Sequence, residues 1–309
     1  MKKKKRMIVG ISVLFLLIGL IAPGFYNELN IQRYAIETDK LEHIIRVAFI
    51  ADLHSCRFGD GEQILLDAIH EQKPDIVLLG GDIFDDQLPD DNTKMFLAGI
   101  AGRYPCYYVT GNHEYWSGEK AFAEKMAILE QFGVIRLIDE SVAITVRNEK
   151  LHIYGADDPD ARRISSAISR QVKSPSEQVA DLLLFGSEDG YTILLTHRPG
   201  SIRFYAECGI DLVLCGHTHG GQWRIPGLLN GLFAPDQGFF PAYAGGQYEE
   251  NGSIMIVSRG LARESTRIPR FYNRPELVIV DVIGIRLRVS MIRFVLRSFR
   301  TLARKPPAP

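Results

Sequence analysis

Apolar and polar positions fall into blocks along this chain, and the period inside each block separates strands from helices. Runs rich in β-branched residues stand at 46–53, 76–80 and 106–110, while "GEQILLDAIHEQ" and "NTKMFLAGIAGR" between them carry apolar residues at helical spacing. That alternation predicts β-α-β-α-β, a sheet with helices packed on it. A further helix is expected over 117–132, with Ser117 as its N-cap and Gly133 at its stop. Beyond it, "RLIDESVAITV" and "LHIYGADD" read as successive strands. A polar, Ser-rich stretch over 160–178 then leads into the helix "SEQVADLLLF". The strands "YTILLTH", "DLVLCGH", "SIMIVSRG" and "ELVIVDV" complete the core, and a first strand is expected within "FYNELNIQRYAIETDKLEH". No internal repeat interrupts the pattern, which describes one α/β domain built from two similar βα halves.

The two ends break the pattern. "MKKKKR" precedes 17 uncharged residues, 7–23, at the short limit of the ~17–25 needed to span a bilayer. A basic flank stays in the cytoplasm, so the expectation is a single-pass anchor with the rest of the chain extracytoplasmic. The alternatives are a cleaved signal ending near "APG", which would leave a secreted protein, and a buried N-terminal helix. At the other end Arg293, Arg297, Arg300 and Arg304 form a stripe opposite Ile292, Val295, Leu296, Phe299 and Leu302. Such a basic amphipathic helix suits the membrane interface, against a docked helix or a frayed tail. The expected division is therefore anchor 1–25, catalytic domain 26–283 and tail 284–309.

Composition narrows the classes further. With 309 residues and 46% hydrophobic content the chain can bury a large core, which excludes a disordered protein. A net charge of -1 from 36 basic and 37 acidic residues gives no reason to expect a nucleic-acid partner. Cys56, Cys106, Cys208 and Cys215 lack paired spacing and read as small core residues rather than as disulfides or a zinc knuckle.

The candidate chemistry gathers at strand ends, where open α/β sheets bind ligands. "DLH" supplies Asp52 and His54, "GGD" Asp82, "GNHE" Asn112 and His113, "TH" His197, and "GHTH" His217 and His219, so five of the eight histidines stand there. Neighbouring glycines allow tight turns and close approach of the loops. Imidazole and carboxylate or amide ligands without thiolate suit Mn, Fe, Zn or Co in a catalytic centre better than a structural zinc. So many ligands exceed the needs of one ion and point to two ions about 3.5–4 Å apart, an arrangement that serves phosphoester hydrolysis.

The order Asp-x-His, Gly-Asp-x-x-Asp, Gly-Asn-His-Glu, His and Gly-His-x-His, running over 46–282, resembles the calcineurin-like metallophosphoesterase family. The resemblance implies a four-layer α-β-β-α sandwich holding two divalent ions, Mn, Fe or Zn. It implies that Asp52, His54, Asp82 and His219 hold one ion, that Asp82, Asn112, His197 and His217 hold the other, and that Asp82 bridges them. His113 would face the leaving group as general acid, with Asp85 orienting its ring, and the nucleophile would be a metal-bridging hydroxide.

Departures from the family bear on the substrate. Its phosphoprotein phosphatases carry a phosphate-binding Arg after the second Asp of Gly-Asp-x-x-Asp, where this chain has Asp86. An acid there repels a dianionic monoester and favours a diester or pyrophosphate. The phrases "GHTHGGQWRIPG" and "SRGLARESTRIPRFYNRPELVIV" resemble an exported or membrane-attached bacterial branch that includes UDP-diacylglucosamine pyrophosphatases, a precedent for lipid-linked substrates. Arg224 or Arg259 could touch a phosphate, against the simpler reading of a surface ion pair. Trp223 could line the pocket mouth, and Phe239, Phe240 and Tyr243 could form an apolar lip, or the loop could fold back on the core. The leading expectation is a membrane-anchored phosphodiesterase or pyrophosphatase; the alternatives are a broad phosphomonoesterase and a catalytically silent metal-binding scaffold.

Overall fold

The apolar runs of the core become strands, and all but two short strands sort into two six-stranded sheets. The computed structural model describes residues 18–164, 172–187, 189–266 and 268–284, together with positions 7, 10–12 and 15. In chain order the strands are β1 (Asn30–Thr38), β2 (Ile45–Ile50), β3 (Ile76–Gly80), β4 (Cys106–Val109), β5 (Ile135–Arg136), β6 (Glu140–Val146) and β7 (Glu149–Ala156). They continue as β8 (Tyr191–Thr196), β9 (Leu212–Cys215), β10 (Phe233–Ala234), β11 (Gly238–Phe239), β12 (Gly246–Glu250), β13 (Ser253–Val257) and β14 (Glu276–Gly284). One sheet is ordered β1-β14-β2-β3-β4-β5 and the other β12-β13-β9-β8-β7-β6. Strands β2 to β5 run parallel, as do β7, β8, β9 and β13. Antiparallel pairings join β14 to β2, β6 to β7 and β12 to β13.

Period-two alternation makes the layers. Val47 and Phe49 of β2 face the space between the sheets with Leu78, Val109, Ile153, Leu195 and Leu214. Ala48 and Ile50 point the other way, beneath Leu65, Phe96 and Leu129 of the helices Gln63–Gln72, Asp91–Ile100 and Glu119–Gln131. On the far side Val213 and Met255 pack under Leu182 and Ile202 of the helices Pro175–Phe185 and Ile202–Glu207. The result is α-β-β-α. Because both faces of the central strands are covered, those strands are apolar throughout rather than alternating.

Two expected elements differ from the pattern. Helix 117–132 forms as Glu119–Gln131, preceded by a separate short helix Asn112–Trp116, and Ser117 does not cap it. Gly118, at φ 81°, turns the chain between them, and the Ser117 hydroxyl donates back to the His113 carbonyl at 2.9 Å. "RLIDESVAITV" splits into β5 of one sheet and β6 of the other, so the chain crosses between sheets within it. All four cysteines are free and buried, Cys106 in β4 and Cys215 in β9.

Among the described residues no helix is long and apolar enough to cross a membrane. The stretch 7–23, expected to do so, is described only in part, and the amphipathic helix expected over 293–304 lies outside the described residues. Residues 20–29 are held firmly on the domain. The Tyr272 amide donates to the Gly24 carbonyl at 2.6 Å, the Tyr272 hydroxyl donates to the Leu20 carbonyl, and Arg274 donates to the carbonyls of Glu28 and Leu29 at 2.9 and 2.8 Å. Gly24 is buried against the Phe271 ring, where a Cβ would collide.

Candidate active site

Parallel pairing sends the carboxyl ends of β2, β3 and β4 to one rim of the first sheet, and β8 and β9 do the same in the second. The loops that leave those ends carry Asp52, His54, Asp82, Asn112, His113, His197, His217 and His219, all but His113 and His219 at least 95% buried. Five of the seven expected ligands, Asp52, His54, Asp82, His217 and His219, have φ between 47° and 70°. Non-glycine residues avoid that region at a cost of order 1–3 kcal/mol each, so strain is concentrated where the side chains must converge. Glycine is required where loops touch: a Cβ on Gly81 would lie 2.7 Å from His197 Nδ1, and one on Gly216 would lie 2.5 Å from Asp52 Oδ2.

The side chains form two clusters. Asp52, His54 and His219 offer ligand atoms within 4.8 Å of one another, as do Asp82, His197 and His217. Asp82 joins the clusters, its Oδ2 standing 3.1 Å from His197 Nε2 and 3.5 Å from His54 Nε2. His54 Nε2, Asp82 Oδ2, Asn112 Oδ1 and His219 Nδ1 are buried without a hydrogen-bond partner. Leaving such atoms bare costs roughly 1–3 kcal/mol apiece, and their nitrogen and oxygen chemistry fits two divalent ions.

Outer partners aim the imidazoles. His197 Nδ1 donates to the Gly80 carbonyl at 2.9 Å, which turns Nε2 toward Asp82 Oδ2. Asp85 holds His54 Nδ1 at 3.0 Å, and Asp236 holds His217 Nε2 at 2.9 Å. The remaining nitrogen of His217, Nδ1, lies 3.2 Å from His197 Nε2. Asn273 fixes the His219 loop by donating to its carbonyl at 2.6 Å. Burial, helped by the charge on His197, pulls His217 down to about 3, and burial pulls His219 well below its ordinary value. Burial also opposes a proton on His197, but Asp82 outweighs it and pushes that imidazole up to about 10. A cation among these ligands competes with that proton, so metal uptake weakens as pH falls.

The carboxylate pairing differs from expectation. Asp85 does not orient His113: it lies 3.7 Å from His113 Nδ1 and bonds His54 instead. Asp86 takes that place, 2.6 Å from His113 Nδ1. The His113 ring packs against Trp116 and edge-on to His54, and its backbone amide donates to Asp82 Oδ1 at 2.8 Å. Both Arg224 and Arg259 have partners on neighbouring loops. Arg224 donates to the Asn230 carbonyl, and Arg259 binds Glu276 and Asn230, at 3.0–3.2 Å.

Three residues that the motifs left without a role prove structural to the site. Asp236 and Asn273 lie far from the motif histidines in sequence, and no local signal marks them. Glu114 stands inside the quoted "GNHE" motif. Its carboxylate accepts the amides of Gly111, Asp82, Ile83 and Phe84 at 2.8–3.1 Å and so ties the β3 and β4 loops together. Burial, with the nearby charge of Asp82, pushes its carboxyl up to about 7. Glu114→Ala is expected to cost at least about 3 kcal/mol in urea unfolding, because four buried amides lose their acceptor.

Residues 45–221 match the family described as calcineurin-like phosphoesterase. The chain belongs to that family. Phosphodiesterase YaeI of Escherichia coli K12 is 30% identical over 266 residues, covering 84% of this chain and 90% of that protein. An uncharacterized metallophosphoesterase of Aquifex aeolicus is 30% identical over 263 residues, covering 83% and 92%. This calcineurin-like phosphoesterase is a metal-dependent phosphohydrolase on an α/β sandwich, and its family uses a dinuclear metal centre.

Proposed function

We propose that the protein is a membrane-anchored phosphodiesterase or pyrophosphatase that works outside the cytoplasm on lipid-linked or envelope substrates. The observation that carries the catalytic part is the pair of ligand clusters sharing Asp82, with His113 held beside them by Asp86. Asp52, His54, Asp82 and His219 are assigned to one ion, and Asp82, Asn112, His197 and His217 to the other. When bound, two divalent ions supply charge neutralisation at the phosphoryl oxygens and acidify a shared water.

The chain's own residues complete the reaction. Asp85, Asp236 and the Gly80 carbonyl keep three imidazoles turned toward the centre. Asp86 holds His113 by Nδ1, so Nε2 is the atom that hands a proton to the departing oxygen. The diester preference is supported by the carboxylate at position 86, which stands beside His113 and repels a dianion. The name of the Escherichia coli relative, a phosphodiesterase, agrees with it.

Membrane anchorage through 7–23 is supported by the basic "MKKKKR" flank and by the exposure of Met7, Ile11, Phe15, Ile18, Leu20 and Ile21. The proposed division remains anchor 1–25, catalytic domain 26–283 and tail 284–309. The test is hydrolysis of bis(p-nitrophenyl) phosphate and p-nitrophenyl phosphate by the full chain, with Mn²⁺ and after chelation. We expect the diester to be preferred, its cleavage to vanish on chelation and to return with Mn²⁺. Faster monoester cleavage would establish a monoesterase, and two bound ions without turnover of either ester would establish a scaffold.

A further inference from the structure

A cavity of about 480 Å³ opens beside the first ligand cluster and shares His219 with it. Its walls are Trp223, Leu232, Phe233, Phe239 and Ile268, and its volume lies in the roughly 300–1,000 Å³ range of small-molecule sites. Around it Trp223 is 41% exposed, Phe233 47%, Ile268 56% and Phe239 69%. Phe239 and Phe240 therefore do not fold back onto the core. Contiguous apolar surface of this kind on a soluble protein marks a site for a ligand, a partner or a membrane.

The cavity wall also holds the foot of the N-terminal helix. Trp223 packs on Phe271 with ring centres 5.7 Å apart, and Phe271 packs on Phe25 at 5.1 Å. Gly24 is pressed to the same Phe271 ring, and its carbonyl accepts the Tyr272 amide. Immediately before this clamp stand helical positions whose apolar side chains are uncovered, among them Phe15, Ile18 and Ile21. The helix and the cavity mouth thus share one side of the molecule, and a bilayer that covers the helix meets the cavity.

We propose that this cavity receives the hydrocarbon chain of a membrane-resident phosphoester and thereby seats its phosphoryl group at the metal centre. The inference rests on the phosphoesterase reading and adds where the tail binds and which side faces lipid. The contacts are apolar, so they recognise chain length rather than headgroup identity. Each methylene that enters apolar surroundings strengthens binding by up to about fourfold.

The experiment uses the full chain in lipid nanodiscs and compares kcat/KM for p-nitrophenyl octyl phosphate with that for p-nitrophenyl methyl phosphate. The wild-type ratio is expected to exceed about tenfold, and Phe239→Ser and Ile268→Glu are each expected to lower it at least about fivefold. Partition into the disc is common to all forms and cancels between them. A ratio equal in wild type and variants, with the methyl ester cleaved, overturns the cavity assignment and leaves the phosphodiesterase standing.

Should neither ester be cleaved, the phosphoesterase reading fails, and the cavity is judged by photolabelling with a decyl phosphonate carrying a terminal diazirine. Label in peptides spanning 219–240 and 266–271, reduced in both variants, supports the cavity as a tail site. Label confined to the N-terminal helix overturns it. Cross-links joining two chains through this face also overturn it, making the face a contact between copies.

Discussion

Asp82→Asn is expected to give a folded protein whose diester hydrolysis has fallen by about 10³ or more and which retains at most one metal ion. Asp82 Oδ1 accepts the His113 amide at 2.8 Å, a bond an Asn carbonyl can keep. Its Oδ2, which faces both His54 and His197 and has no hydrogen-bond donor, becomes an amide that cannot ligate a cation from either side. Burial works against a charge on Asp82, but the facing His197 holds its carboxyl well below the usual range. A lowered carboxyl pKa means that the fold favours the carboxylate, so removing that charge from the metal-free protein lowers its unfolding temperature, and the bridge between the two clusters is lost with it. Metal content by emission spectroscopy, together with thermal unfolding, checks both halves. Full activity with two ions bound would show that the centre does not depend on a bridging carboxylate.

His113→Ala is expected to lower kcat by about 10²–10⁴ for diesters with alkoxide leaving groups, the range of a positioned general acid, and much less for nitrophenyl esters. A nitrophenolate leaves without a proton, so the size of the loss reports protonation and not folding. Asp86→Asn is expected to reproduce the same leaving-group dependence in weaker form, because Asp86 and not Asp85 holds His113 Nδ1. Asp85→Asn is expected instead to weaken metal binding about 10- to 100-fold through His54. Rates for methyl p-nitrophenyl and dimethyl phosphate, with metal titrations of each variant, separate the two carboxylates. A uniform loss across leaving groups in His113→Ala would assign that residue to binding.

The exchange of Asp85 and Asp86 shows where motif reading stops. Two adjacent carboxylates serve two imidazoles, and spacing brings all four groups into reach without deciding the pairing. The backbone decides it. Asp82 sits at φ 50°, the amides of Asp82, Ile83 and Phe84 are pinned on Glu114, and the turn that follows directs Asp85 inward to His54 and Asp86 to His113. Asp236 and Asn273 escaped for another reason. They reach their histidines from 19 and 54 residues away, through loops whose path no local pattern encodes.

Local physics determined the secondary structure and the inventory of reactive groups. Covered sheets require continuous apolar runs, and the loops that end those strands must carry the polar residues, so β2, β3, β4, β8 and β9 and their terminal Asp, Asn and His residues are visible in the chain itself. Tertiary structure decided three further things. The single run "RLIDESVAITV" is divided between the sheets, because its halves become the edge strands β5 and β6, which pair with β4 of one sheet and β7 of the other. Each carboxylate meets its own imidazole only because left-handed turns at the strand ends aim the side chains. The apolar cavity arises where residues 219–239 close on the segment that grips the N-terminal helix, a contact between parts of the chain that are far apart in sequence and therefore set by packing alone.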